Sequence, residues 1–186
     1  LRIGAALDRF KDTGKEIISY EDNFQQFQYH IASYANELYM HPWGDALLTG
    51  YGGNTLYFRE MLEKLSVNVH VFRVGGFKSA VEPFTRDDMS EEAKLARQTL
   101  YNGLWRYLVE DIADNRKLSV DDIEAYSQQF SVLLEKAGGD MGRATLEAKL
   151  VDELLTWDQV RTRIADKVGW LEENERLNAI GMSGYL

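Results

Sequence analysis

One lysine of this sequence lies where its chemistry would depend on burial. Lys78 sits in the segment VFRVGGFKSAVEPFTRDDMS (residues 71–90), after a valine-rich stretch and before small residues. In an apolar pocket, the loss of hydration disfavours the ammonium form and lowers the pKa of a lysine. Such a lysine can act as a general base near neutral pH, and it can activate a serine hydroxyl in place of histidine. The spacing alone fits an ordinary solvated lysine at the end of a strand equally well.

The other candidate groups point less clearly to chemistry. The three histidines, His30, His41 and His70, show no metal-ligand spacing such as HExxH, so we interpret them as structural. The glycine run at residues 50–53 lacks the phosphate-loop patterns and is read as a tight turn. The acidic run at residues 86–92 is read as the solvated entrance of a helix. We therefore predict no metal and no cofactor. The four tryptophans are interpreted as core or interface residues: Trp43, Trp105, Trp157 and Trp170.

Length and composition limit the classes of protein to which this chain can belong. The chain has 186 residues, of which 45% are apolar, which suits one domain or one lobe of a larger protein. A net charge of -9 without a Lys/Arg cluster argues against a nucleic-acid partner. The absence of cysteine excludes disulfides and thiolate nucleophiles. No apolar run reaches the length of about 18 residues that a membrane span requires. Because the chain starts in a helical pattern without Met, we expect it to be a piece of a longer protein.

The first half of the sequence alternates helices with strands. Apolar periodicity and turn residues predict these elements in chain order: a helix over 3–10, a strand at 16–20, a helix over 24–35, short strands at 37–40 and 46–51, a helix from 54 to 65, and a strand at 67–71. Such alternation predicts an α/β layered domain with a largely parallel sheet.

The second half of the sequence is mostly helical. Ser90 is predicted to cap a long helix that ends near Asn115, with acidic residues in its first turn. The pairs Ser119/Asp122 and Thr156/Gln159 have the spacing of capping boxes and predict two further helix starts. The run KLVDEL is read as a small edge strand.

Several stretches of the chain resemble one known family. HVFRVGGFKSAVEPFTRDDMS (residues 70–90) resembles the general-base segment of the signal peptide peptidase A, or protease IV, family, peptidase family S49. ASYANELYMHPWG resembles the segment after the family's nucleophile turn, and NTLYFREMLEKLSV its next helix. LVEDIADNRKLSVDDIE and LEAKLVDEL resemble its later helices and terminal strand. The resemblance covers residues 1–169 as the lysine-bearing N-terminal lobe of the long type, and residues 170–186 are expected to begin a linker.

The resemblance implies an α/β fold of the Clp protease/crotonase type, with stacked ββα units and an extended helical arm. Short members of the family carry the Ser and Lys of the catalytic dyad in one domain. In long members the N-terminal half supplies the lysine and the C-terminal half supplies the serine. Lys78 matches the catalytic lysine.

The nucleophile position can be checked against the same pattern. Short members place the serine in an S-G-G-Y-Y-like string at a strand-to-helix turn. Aligning QFQYH with that string puts Gln26 at the serine position, with Phe27 and Gln28 in place of the glycines. An amide side chain cannot accept an acyl group in this role. The resemblance therefore implies a half-site in which Lys78 is the general base and the serine lies in the missing C-terminal half.

The function implied is a serine peptidase that degrades cleaved signal peptides, inactive as this fragment alone. The resemblance also implies a homo-oligomer, expected to be a tetramer of the full-length protein. It implies the periplasmic side of the bacterial inner membrane, with membrane association through a segment outside this sequence.

Two alternatives remain open at this point. The lobe could be a non-catalytic oligomerisation module, which the long helix with Trp105 and Tyr107 would suit. It could also be a crotonase-type enzyme that binds an acyl-CoA, although the sequence offers no basic cluster for the phosphates. Turnover by the isolated fragment would point to an overlooked nucleophile such as Ser33 or Ser79.

Overall fold

Packing divides the chain into two units, each described here by itself. The computed structural model describes residues 2–72, 75, 79–171 and 176–185. The first unit comprises Leu1–Thr49 and Val109–Leu186, and the second comprises Gly50–Leu108.

Among the described residues, short strands lie near both ends of the chain, and six helices follow one another between β4 and β5. The helices are α1 (Arg2–Lys11), α2 (Gln26–Ala32), α3 (Arg59–Lys64), α4 (Glu82–Thr85), α5 (Glu91–Arg116), α6 (Val120–Gln128), α7 (Phe130–Lys136), α8 (Met141–Glu147), α9 (Trp157–Val168) and α10 (Met182–Tyr185). The strands are β1 (Ile18–Glu21), β2 (Phe24–Gln25), β3 (Glu37–Met40), β4 (Ala46–Leu47), β5 (Glu153–Leu154), β6 (Trp170–Leu171) and β7 (Arg176–Leu177). The 3₁₀ turn Ser79–Val81 leads into α4.

A parallel sheet forms the framework of the first unit. Its order is β1-β3-β5, with Ile18 opposite Glu37 and Tyr39 opposite Glu153. β2 and β4 form a second parallel pair, whereas β6 and β7 pair antiparallel. Parallel neighbours need crossover connections, and α2 accordingly lies between β1 and β3 in the sequence. The predicted α/β class with parallel pairing is confirmed.

Buried tyrosines tie the core of the first unit to its backbone. Tyr29 and Tyr126 are fully buried, as is Leu38 between them in sequence. The Tyr29 hydroxyl donates to the carbonyl oxygen of Leu150 at 2.7 Å, and the Tyr126 hydroxyl donates to that of Ala46 at 2.9 Å. Each buried hydroxyl therefore has an acceptor, which removes the cost of burying it.

The two predicted capping boxes are confirmed. The Ser119 hydroxyl accepts the backbone N–H of Asp122 at 3.1 Å, and the Asp122 carboxylate accepts the N–H of Ser119 at 3.0 Å. Thr156 and Gln159 make the same reciprocal pair at the start of α9. Gly169 follows α9 with φ of +81°, a backbone conformation that glycine adopts without strain.

The second unit departs from the predicted pattern. Residues 67–72 form no strand, and the side chains of Val67 and Val69 are exposed. An isolated strand leaves its backbone groups without partners, and no described residue of this unit lies in a neighbouring strand. The helix predicted from Asn54 begins only at Arg59.

The long predicted helix is present as α5, a run of 26 residues. Ser90 precedes it, and the Ser90 hydroxyl accepts the backbone N–H of Ala93 at 3.3 Å. Within the described parts of the chain, no helix has both the length and the apolar composition to cross a membrane.

Candidate active site

Lys78, the predicted general base, lies outside the described residues. The residues that follow it are described, and they belong to the second unit. They form the 3₁₀ turn Ser79–Val81, then α4, and then the entrance to α5.

A buried carboxyl group anchors this segment to the start of α5. The Glu82 side chain is only 2% exposed. It accepts the backbone N–H of Ser90 at 3.1 Å and the Ser90 hydroxyl at 2.5 Å. Because Ser90 in turn caps α5, one chain of hydrogen bonds runs from the segment after Lys78 into the long helix.

A second set of contacts holds α4 against the start of α3. The backbone N–H of Phe58 donates to the carbonyl oxygen of Pro83 at 2.7 Å. The rings of Phe58 and Phe84 stack with centroids 6.2 Å apart. The Arg59 guanidinium donates to the Asp87 carboxylate, with Nε and Oδ2 2.8 Å apart. The string after the lysine is thus fixed at both of its ends.

The acidic run at residues 86–92 contributes ion pairs at the entrance of α5. Asp87 pairs with Arg59, and Asp88 pairs with Arg86 at 3.0 Å. These side chains are largely exposed, which agrees with our interpretation of the acidic run as a solvated helix entrance. Across the described ranges, no group of three His, Asp or Glu residues is arranged to hold a metal ion.

The aligned nucleophile position lies at the junction of β2 and α2, in the first unit. Gln25 has an extended backbone with φ of −71° and ψ of 154°, and Gln26 is the first residue of α2. The structure therefore has a strand-to-helix turn at the aligned position. Hydrogen bonds hold it on both sides: Phe24 N–H donates to the carbonyl oxygen of Asp45 at 2.8 Å, and Gln25 N–H donates to Oε1 of Gln28 at 3.0 Å.

The groups at this turn cannot perform acyl transfer. No residue from Phe24 to Gln28 has a hydroxyl or thiol side chain. The N–H of Gln25 donates to the Gln28 side chain and is therefore already engaged within the turn. Tyr29, the next residue, is fully buried, and burial raises the pKa of its phenol far above the ordinary value. Its hydroxyl is therefore a proton-bearing donor rather than a base.

Ser33, one of the two alternative nucleophiles, is committed to the core. It is 1% exposed, its hydroxyl donates to the carbonyl oxygen of His30 at 2.8 Å, and it accepts from Asn115 Nδ2 at 3.1 Å. A hydroxyl held in this way serves the packing of α2 against α5.

A buried polar cluster was missed by the sequence analysis. His30 Nε2 lies 2.5 Å from Asp111 Oδ2, and the Tyr34 hydroxyl donates to the same oxygen at 2.6 Å. The cluster joins α2 to α5, which agrees with a structural role for His30. His30 and Asp111 are 81 residues apart, so no local spacing could reveal the pair.

Three of the four tryptophans interpreted as core or interface residues, Trp43, Trp157 and Trp170, are exposed and lie outside the core. Trp43 is 90% exposed in the turn after β3, and Trp157 is 52% exposed at the first position of α9. The turn signal HPWGD around Trp43 was the available indication of exposure.

The comparisons with known proteins agree on one family. The sequence model of Peptidase family S49 matches residues 9–170. Protease 4 of Salmonella typhi is 38% identical over 183 residues, covering 98% of this chain and 30% of its own length. Protease 4 of Haemophilus influenzae is 41% identical over 154 residues, covering 83% of this chain and 25% of its own.

A plant protein extends the similarity. The chloroplastic serine protease SPPA of Arabidopsis thaliana is 24% identical over 176 residues, covering 95% of this chain and 25% of its own. The chain thus spans between a quarter and a third of the length of the curated relatives it matches.

Proposed function

The chain belongs to peptidase family S49, and from that membership we propose that it is the lysine-bearing half-site of a Ser/Lys peptidase. Lys78 is the general base in this proposal. The nucleophilic serine comes from a part of the full-length protein outside this sequence, as in the long type of the family.

The proposed chemistry is acyl transfer in two stages. The neutral amine of Lys78 removes the proton of the serine hydroxyl as the serine oxygen attacks the peptide carbonyl carbon. The resulting ammonium returns that proton to the leaving amine when the peptide bond breaks. The same amine then takes a proton from water as the water oxygen attacks the acyl-serine, and it returns that proton to the serine oxygen when the acyl bond breaks, which releases the carboxylic product and the free serine.

The observation that carries the proposal is the turn between β2 and α2. A strand-to-helix turn stands where the resemblance aligns the nucleophile, and the residue there is Gln26, which has no hydroxyl group. This supports a lobe that kept the scaffold of the site and has no nucleophile in this turn. The hydrogen bonds of Glu82 and Phe58 hold the segment after Lys78 in a defined conformation, which further supports the proposal.

The finer features of the proposal follow from the resemblance. We propose the Clp protease/crotonase fold with ββα units, a lobe over residues 1–169 and a linker that starts at 170. The substrates proposed are cleaved signal peptides, at the periplasmic side of the bacterial inner membrane. Membrane association would come from a segment outside this sequence.

The test of the proposal is substitution of Lys78 in the full-length protein. Lys78→Ala is expected to lower peptide hydrolysis by about 10²–10⁴-fold, because general-base catalysis is lost. Lys117→Ala removes an exposed lysine from the first unit and is the matched control, expected to keep full activity. Hydrolysis by Lys78→Ala at a near wild-type rate would contradict the role of Lys78. The purified fragment is expected to hydrolyse nothing; turnover by it would indicate Ser79 or another nucleophile.

A second role, assembly, is favoured by the surface of α5. Within its second-unit part, four large apolar side chains are exposed: Leu95, Leu100, Leu104 and Tyr107. We propose that this helix helps to form the homo-oligomer, with four copies of the full-length protein. Leu100→Glu places a charge in that surface and is expected to lower the mass measured by light scattering, whereas Gln98→Glu on the same helix is not. An unchanged mass for Leu100→Glu would exclude this part of α5 from the interface.

A further inference from the structure

A cleft of about 450 Å³ opens at the carboxyl ends of the parallel strands of the first unit. Its lining follows β1, β3 and β5 in the sequence: Tyr20, Asp22 and Asn23 at the end of β1, His41 and Trp43 after β3, and Trp157 after β5. Ligands of open α/β sheets commonly bind outside the carboxyl ends of the strands. We call this feature the aromatic cleft.

Aromatic rings provide most of the walls of the aromatic cleft. The rings of Tyr20 and Trp157 lie 5.5 Å apart and are inclined at 37°, while His41 meets Trp43 edge-on at 5.7 Å. The exposure of the two tryptophans leaves indole surface accessible to a ligand. An indole face carries negative electrostatic potential and attracts cations at short range.

The charge of the lining residues also favours a cationic ligand. The Asp22 carboxylate accepts the Tyr20 hydroxyl at 2.8 Å, and the six lining residues include no lysine or arginine. The backbone N–H of Trp43 donates to His41 Nδ1 at 3.2 Å, which holds the imidazole against the turn. Burial, and then the hydrogen bond to Asp22, raise the pKa of Tyr20 to about 12, which keeps the phenol neutral. The aromatic cleft therefore combines one negative charge with several aromatic faces.

We propose that the aromatic cleft binds a lysine or arginine side chain of the peptide substrate. This deepens the proposed function and rests on it for the identity of the peptide. Signal peptides begin with a positively charged region ahead of their apolar segment, so the proposed substrate class carries the required cation. The net charge of -9 favours the same occupant over any anionic ligand.

Binding is best measured on the full-length Lys78→Ala protein, in which hydrolysis is expected to be slow enough for binding to reach equilibrium. The probes are two fluorescent apolar peptides that differ at one position near the amino terminus, lysine in one and norleucine in the other. Norleucine keeps the alkyl chain and removes the charge. The lysine peptide is expected to bind about fivefold more tightly, the range of a partly exposed cation–π contact assisted by a carboxylate.

Two variants assign that difference to the aromatic cleft. Trp43→Ala and Asp22→Asn are each expected to weaken binding of the lysine peptide about two- to fivefold and to leave binding of the norleucine peptide unchanged. Trp43 is nearly fully exposed, and Asn at position 22 can still accept the Tyr20 hydroxyl, so both variants should fold. Tyr185→Ala and Asp114→Asn alter an exposed ring and an exposed carboxylate elsewhere and serve as matched controls.

Turnover by the otherwise wild-type protein gives an independent readout. Trp43→Ala is expected to raise KM for the lysine peptide with kcat unchanged, because a contact made equally in the ground state and the transition state contributes to binding alone. Equal affinity for the lysine and norleucine peptides, or no saturable binding of either, would overturn the proposal. So would saturable binding of a neutral oligosaccharide that Trp43→Ala abolishes, since this would assign the aromatic cleft to sugars. Failure of the Ser/Lys mechanism would appear separately, as persistent hydrolysis by Lys78→Ala.

Discussion

The two units of this chain differ in how much apolar surface they bury. The first unit has a continuous core around Tyr29, Leu38 and Tyr126. Among the described residues of the second unit, the buried apolar side chains are those of Ala93 and Leu108 alone. Large side chains there are exposed instead: Leu56, Met61, Leu65, Phe72, Leu95 and Leu100. Since apolar burial is the main favourable term in folding, the first unit carries most of the stability of the chain.

The second unit holds its backbone by polar contacts. Glu82 binds Ser90, and Arg59 binds Asp87. The proposed general base, Lys78, belongs to the sequence of this unit. If Lys78 is the general base, as proposed, the buried core and the catalytic group belong to different parts of the chain. The exposed apolar side chains of the second unit are the basis of the assembly role proposed for α5.

The largest expected effect tests where the stability resides. Leu38→Ala removes a fully buried side chain from the middle of β3. We expect the free energy of unfolding to fall by about 2–5 kcal/mol, from lost transfer energy and a residual cavity. Chemical denaturation monitored by far-UV circular dichroism measures the change.

The matched substitution in the second unit is Leu100→Ala. Leu100 is 57% exposed, so the same chemical change is expected to alter the free energy by about 0.5 kcal/mol or less. If Leu38→Ala and Leu100→Ala lowered the free energy of unfolding by similar amounts, the two units would contribute equally to stability. The contrast drawn between them would then be wrong.

The parts of this structure that sequence could predict are those with local causes. The capping boxes at Ser119 and Thr156 are encoded within four residues, and the structure has both. The strand-to-helix turn at Gln26 was placed by resemblance and is present. Lys78 was identified from a string of residues on the same grounds and stays a prediction.

The parts that could not be predicted depend on distant partners. The valine alternation at residues 67–71 was read as a strand, but alternation does not supply the neighbouring strand that such a segment needs. The contact of His30 with Asp111 requires α2 and α5 to meet, which no spacing encodes. The aromatic cleft collects residues from three strand ends and is visible only when the order β1-β3-β5 is known.

A smaller effect is expected from the polar contact that holds the second unit. Glu82→Gln keeps the size of the side chain but replaces one acceptor oxygen by a donor amide group, so the Ser90 hydroxyl loses its charged acceptor while the remaining oxygen can still accept the N–H of Ser90. We expect a local loss of about 1–3 kcal/mol. Amide hydrogen exchange in the first turn of α5 should accelerate, while exchange in β3 should not change.

The control for Glu82 is an acidic residue in the first turn of α5 itself. Glu91→Gln alters an exposed carboxylate that pairs with Lys94, and its exchange pattern should match that of the wild type. Faster exchange throughout the first unit in Glu82→Gln would mean that the two units unfold together.

The smallest expected effect is a pH-dependent one at the surface of the first unit. Hydrogen bonds from Lys167 and Tyr39 lower the pKa of the Glu37 carboxyl below its ordinary value. A carboxyl whose pKa is lowered on folding stabilises the protein above its unfolded pKa, and that contribution is lost as the pH falls through the folded pKa. Glu37→Gln should therefore lower Tm by about 1–2 °C at pH 7, the range of a partly exposed ion pair.

The same variant should have no effect on Tm at a pH below both pKa values of Glu37, because the wild-type carboxyl is then uncharged too. Glu16→Gln is the matched control, since Glu16 is the other carboxylate on the Lys167 ammonium and is more exposed. Its effect at pH 7 is expected to be the smaller of the two. If the difference in Tm between wild type and Glu37→Gln persisted unchanged in acid, the Glu37 side chain would stabilise the protein by packing rather than by its charge. Uncharged contacts would then account for the stability of the first unit at its surface as well as in its core.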